Sequence, residues 1–107
     1  MTQKQFQKIA EGLGWNVTFD GTEIDLQQYT SAGQDFFFSI KDSGNYAEEV
    51  YLYYVNYDPS EEALKWVDDS GHGKNGAPYY LRDIIIDMEE VEQMLKELYE
   101  ALLLDRN

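Results

Sequence analysis

Apolar positions in the last third of the chain recur with helical regularity. Leu81, Ile84, Met88, Val91, Leu95, Leu98 and Leu102 are separated by alternating steps of three and four residues, the repeat that keeps one face of a helix apolar. Between them stand Asp83, Asp87, Glu89, Glu90, Glu92, Glu97 and Glu100. Two arrangements fit Pro78 to Asp105: one helix of about 26 residues, roughly 40 Å long, or two helices hinged where Asp87 and Glu90 have the offset of a capping pair. The hinge is favoured, because so long a rod would overhang a body whose radius of gyration should be about 13 Å. Ile84-Ile85-Ile86 also asks for burial over a broader arc than the seam provides.

Earlier segments have their own periods. Phe6, Ile9, Ala10 and Leu13 follow helical spacing, and Gly12 and Gly14 mark the exit of a short helix. WNVTF (15–19) and EIDLQQYT (23–30) alternate, joined through Asp20-Gly21, a dipeptide suited to tight hairpins. Trp15, Val17 and Phe19 should share a face with Ile24 and Leu26. A turn at 31–34 leads into DFFFSI (35–40), an apolar run with strong β propensity. Three consecutive strands predict an antiparallel meander.

After Asp42-Ser43-Gly44-Asn45 the period changes. Tyr46, Val50, Tyr53, Tyr54 and Tyr57 lie at helical spacing, with Asn45 and Glu48 as a capping pair, which predicts a helix over 46–57. The competing reading is a strand, since VYLYYV is rich in β-formers. Asp58-Pro59-Ser60-Glu61 is a clear helix start, with Asp58 as cap, Pro59 at the first helical position and Glu61 completing the box. That helix should run to about Asp69 with Ala63, Leu64 and Val67 inward and Trp66 partly covered. SGHGKNGAP (70–78) is then a loop. The expected architecture is a single α+β domain over residues 1–107: an N-terminal helix, a three-stranded antiparallel meander, then three to four helices packed on one sheet face.

Composition narrows what such a domain can do. A content of 43% hydrophobic and 15% aromatic residues places the acidity on a folded body rather than on a disordered tail. No cysteine is present, which removes thiolate chemistry and cysteine-ligated zinc. The segment MTQKQFQKIA lacks the apolar core of a signal peptide, and no apolar run approaches the roughly 18 residues of a membrane span; the expected location is the cytoplasm. Net charge is −13, and it is lopsided: residues 42–107 hold sixteen acids and five bases, net −11. A field of that sign repels nucleic acid and acidic membranes and attracts basic surfaces.

Candidate chemistry is sparse. His72 lies between two glycines with no evident orienting partner, which favours a solvated loop histidine over a general base. Gly71 and Gly76 have phosphate-loop spacing, but Ala77-Pro78 stands where that motif needs Lys and Ser/Thr. Asp68-Asp69 and Asp20/Glu23/Asp25 do not match a calcium loop. No catalytic residue, metal site or cofactor is assigned, and direct nucleic-acid binding is not expected.

What remains is a surface. A helix can offer a carboxylate at each turn of about 5.4 Å, comparable to the roughly 3.4 Å advance of phosphates along one DNA strand. In a continuous helix Asp83, Asp87, Glu90 and Glu97 would form one row and Glu89, Glu92 and Glu100 another. Tyr79, Tyr80 and Tyr99 flank them as possible anchors. Glu48, Glu49, Glu61, Glu62, Asp68 and Asp69, on neighbouring helices, would extend the surface. The plainer alternative is that these acids are the solvated backs of amphipathic helices.

An AGQDF turn, a tyrosine-rich acidic helix, a DPSEEALKWV helix start, a GAP loop end and an RDIIIDMEEVEQMLKELYEAL tail, together spanning residues 29–104, resemble small acidic accessory proteins encoded on plasmids, phages and conjugative elements of gut bacteria. That class includes antirestriction and anti-CRISPR inhibitors, several of which occupy a nuclease's DNA-binding surface. The resemblance carries no functional motif, so it assigns no residue. It implies a function similar in kind, and with the net −11 of residues 42–107 the expectation is a non-enzymatic inhibitor, a monomer or weak homodimer, whose partner is a basic protein surface such as a nuclease or DNA-binding protein. The expected contact residues are Asp83, Asp87, Glu89, Glu90, Glu97, Glu61, Glu62, Asp68, Asp69, Tyr79 and Tyr80. Two further classes stay open: an immunity, antitoxin-like or homo-oligomeric adaptor protein using Tyr46, Tyr53 and Tyr57, and, at the margin, a carboxylate-dependent metal enzyme.

Overall fold

A computed structural model describes residues 1–105. The chain begins with α1 (Gln3–Gly12), started by a reciprocal cap: the Thr2 hydroxyl accepts from Gln5 N and the Gln5 side chain accepts from Thr2 N. Phe6 and Ala10 are its buried positions. Strands β1 (Asn16–Asp20), β2 (Glu23–Tyr29) and β3 (Asp35–Lys41) follow as an antiparallel meander in the order β1-β2-β3. Asp20 pairs with Glu23, so the hairpin turn is Gly21-Thr22, one residue later than the Asp20-Gly21 signal suggested. Gly21 supplies the positive φ (+64°) that this turn needs.

The register sorts the side chains as the alternation predicts. Val17 faces Leu26, Phe19 faces Ile24, and β3 sets Phe38 beside Leu26 and Ile40 beside Ile24. These residues, with Trp15 and Phe36, line the covered sheet face. The apolar run DFFFSI also alternates, with Phe36 and Phe38 buried and Phe37 outward and 57% exposed. On the outer face, Asn16 donates to Gln27, Gln27 to Asp35, and Ser39 to Asp25.

Helix α2 (Tyr46–Val55) settles the contest over 46–57 in favour of helix, ending two residues early. Its Asn45 side chain makes no cap hydrogen bond; the start is held instead by the Tyr46 hydroxyl donating to Asp42 at 2.6 Å. Tyr46 packs on Phe6 of α1 and Tyr53 on Phe38 of β3, with centroids 4.8 and 4.6 Å apart, so α2 is seated on both α1 and the sheet by aromatic contact. Helix α3 (Pro59–Leu64) begins as expected, with Asp58 accepting from Ser60 N. It stops five residues short of Asp69, because the next backbone groups bond elsewhere. Asp68 N donates to His72 O, Lys74 N to Trp66 O and Gly73 N to Tyr79 O, folding residues 66–79 into a closed loop. Gly73 is required there, since a Cβ would stand 1.8 Å from the Pro78 carbonyl oxygen. Leu64, expected inward, is 58% exposed, while Ala63 is buried and Val67 and Trp66 are half-buried.

The largest departure is in the stretch that promised a hinge. Helix α4 (Leu81–Asp105) is uninterrupted over 25 residues, about 37 Å by rise per residue. It lies against α1, α2 and α3. It does not overhang, because the whole body is elongated, 46 × 26 × 22 Å with a radius of gyration of 14.6 Å. Six of the seven seam positions are fully buried, from Ile84 to Leu102. The narrow seam suffices: Ile85 is half-buried and Ile86 is 63% exposed.

The seam therefore carries the stability. Leu95→Ala should lower the unfolding free energy by about 2–5 kcal/mol, and Ile86→Ala should change it by less than about 0.5 kcal/mol, as read by denaturant unfolding. A large loss at Ile86 would restore the broader buried arc.

Candidate interaction surface

On a helix whose seam faces inward, the opposite side is set by the 3.6-residue period. Glu89, Gln93, Lys96, Glu97 and Glu100 are all exposed along the back of α4, with Gln93 donating to Glu97 at 3.3 Å. Asp83 is exposed on the first turn.

Asp87 does not belong to that surface, and Glu90 is half-buried with its carboxylate engaged. The Thr30 hydroxyl donates to Asp87 at 2.8 Å, and Asp87 is only 6% exposed. Ser31 N donates to Glu90 at 2.7 Å, and the Ser31 hydroxyl donates to the other oxygen of the same carboxylate. These carboxylates grip the β2–β3 turn across the fold, so neither a helix break nor a contact role for Asp87 is supported. Burial pushes the Asp87 carboxyl above the ordinary carboxylate range; the Thr30 hydroxyl opposes this and the neighbouring Glu90 charge adds to it.

On the α3 side, Glu61 and Asp69 are exposed, and Glu62 is half-buried and paired with Lys65 at 3.0 Å. A groove of about 370 Å³ runs between α2 and α3, lined by Leu52, Tyr53, Tyr57, Glu61 and Glu62 among others. Burial, then the Glu62 charge, pushes the Tyr53 hydroxyl up to about 12. The hydroxyls on this wall stay protonated at neutral pH, and that of Tyr57 donates to Met88 O at 3.0 Å.

Asp68 is absorbed by its own loop. One of its oxygens accepts from Ser70 N, the Ser70 hydroxyl and His72 N, and these bonds hold its carboxyl below the ordinary range. The Ser70 hydroxyl also lies 2.9 Å from His72 Nδ1. With its single proton given to Asp68, it can only accept from Nδ1, so the serine has no base to activate it as a nucleophile. The order is Asp–Ser–His, whereas a triad needs histidine in the middle. His72 stacks on Tyr79 at 4.1 Å and 14°. Tyr79 meets Tyr80 edge-on at 5.1 Å, and the Arg82 guanidinium sits 5.1 Å over the Tyr80 ring. Both tyrosines are more than half exposed. Among the described residues, no three His, Asp or Glu side chains are grouped to hold a metal ion, and no helix is long and apolar enough to cross a membrane.

The tyrosines read as contact residues over 46–57 point inward. Tyr46 is 4% exposed, and Tyr53 and Tyr57 are half-buried against Phe36 and Phe38. The outward face carries Tyr51, Leu52 and Val55 instead.

The fold and its surfaces thus define an α+β meander protein with an acidic helical side and one apolar helix face. Compared with family models, curated proteins and solved structures, the chain matches none.

The buried Asp87 sets a pH dependence. A raised native pKa means the folded state binds the proton more tightly than the unfolded chain. The stability this group contributes is present at low pH and is lost as pH rises from the ordinary carboxylate value through the raised one. Melting curves should show Asp87→Asn gaining on the wild type as pH rises above the ordinary carboxylate range; a gap that is constant or closes with rising pH would refute the assignment.

Proposed function

We propose that this protein is a non-enzymatic inhibitor of the kind carried by mobile genetic elements. Its acidic helical side takes the place of nucleic acid on the basic surface of a defence nuclease or another DNA-binding protein in the cytoplasm. The observation that carries this reading is the exposed set Asp83, Glu89, Glu97 and Glu100 on one uninterrupted helix, within a segment of sixteen acids and five bases. Glu61 and Asp69 lie exposed on the adjoining α3 side.

The rigidity of α4 matters to the argument. Carboxylates fixed on a packed helix lose little conformational freedom on binding, whereas a floppy acidic tail must be ordered. Duplex DNA presents the same sign of charge at close, regular intervals, so a surface built to bind it is attracted to this one. Tyr79 and Tyr80, exposed beside the first turn of α4, offer the specific contacts that charge alone does not supply.

The test is retention of a host-lysate protein on the immobilised wild type. The expected ligand elutes with duplex DNA and with about 0.5 M NaCl. The variant Asp83→Asn/Glu89→Gln/Glu97→Gln/Glu100→Gln should retain it at least about tenfold less well, with its melting temperature little changed. Retention indifferent to DNA and salt, or equal in the variant, would contradict the proposal.

A further inference from the structure

We propose that the outward face of α2 is a docking site for a basic amphipathic helix of a partner protein. The inference rests on the reading of the chain as a binder of basic proteins, and adds a second, apolar site to it.

Tyr51, Leu52 and Val55 are 43%, 57% and 55% exposed. At spacings of one, three and four residues they share one face of a single helix. Lone exposed apolar residues are ordinary; here the inner side of α2 is already filled by Tyr46, Ala47 and Val50, so the outer side lacks a cover. The ridge continues onto α4, where Tyr99 packs 5.1 Å from Tyr51. On its other flank Leu52 forms one wall of the α2–α3 groove, which Asp58, Glu61 and Glu62 line against the single cation Lys65, itself paired with Glu62.

These observations select the occupant. An apolar ridge beside carboxylates suits a helix with apolar residues on one face and lysine or arginine at its margins, the helix-in-groove mode of recognition. A second copy of this chain fits worse. A two-fold contact would bring two chains of net charge −13 together through the same patch. Helix α2 has ten residues, so about 15 Å of length at about 10 Å width offers roughly 150 Å², a small part of the roughly 800 Å² per partner of a stable interface. The carboxylates steer the basic helix in, and the apolar ridge holds it where salt screens the charges.

The probe is a fluorescein-labelled Leu/Lys peptide of about 14 residues with amphipathic spacing, long enough to cover α2. Controls are its Leu/Glu counterpart and a Leu/Lys peptide scrambled so that no apolar face forms. Fluorescence polarisation should show saturable binding of the first only. Leu52→Ser/Val55→Ser should weaken it by about tenfold or more, with an unchanged circular dichroism spectrum. The four-site α4 variant should bind the peptide within about twofold of wild type, so failure of this site and failure of the α4 surface are read separately. Equal binding of the scrambled peptide, unchanged affinity in Leu52→Ser/Val55→Ser, or loss confined to the α4 variant would each overturn the proposal. So would a wild-type dimer, seen by sedimentation, that the α2 variant converts to monomer.

Discussion

Thr30 and Asp87 lie 57 positions apart in the chain, and the hydrogen bond between them joins the β2–β3 turn to the second turn of α4. Its neighbour from Ser31 to Glu90 repeats the link one helical turn further on. Together they tie α4 to the tip of the meander, while the apolar seam ties it to the rest of the core. A carboxylate buried without a donor would be costly; the Thr30 hydroxyl supplies that donor to Asp87, while burial raises its carboxyl above the ordinary range. Because the two acids bond across the fold rather than to their own helix, the backbone runs through them unbroken. The elongated shape follows, since the other elements are laid along one helix of 25 residues.

The same constraint divides the acidic residues into two populations. Asp87, Glu90 and Asp68 are engaged by hydroxyls and backbone amides, Asp87 buried, Glu90 half-buried and Asp68 at the surface. Asp83, Glu89, Glu97, Glu100, Glu61 and Asp69 face solvent and create the external field. Aromatic packing keeps the helical side rigid: Phe36, Phe38, Tyr53 and Tyr57 form a layer between sheet and α2, and the Tyr57 hydroxyl fastens that layer to the backbone of α4.

Much of this was legible in the chain because it is local. Alternation gave the strands and their inward faces, the three-four repeat gave the seam of α4, and Asp58-Pro59 marked the start of α3. The larger departures depend on bonds between distant residues. An acid followed three positions later by another reads the same whether it caps a helix or grips a turn far away in sequence, so Asp87 and Glu90 suggested a hinge. The end of α3 depends on Lys74 reaching back to Trp66 and Gly73 on to Tyr79, which no period reports. In α2, aromatic residues occupy both faces, so their spacing could not say which of them point outward. Only packing against Phe38 turned Tyr53 inward and left Leu52 in solvent.

The central claim is that α4 passes unbroken through Asp87 and Glu90, with those acids serving the fold rather than the surface. In a continuous helix the amides of Met88, Glu89 and Glu90 bond to carbonyls one turn back; at a helix start capped by Asp87 they would lack those partners. Native-state hydrogen exchange at these three amides decides between the two. Protection close to that of global unfolding is the predicted result. Rapid exchange at Met88 to Glu90, between protected segments on either side, would contradict the account.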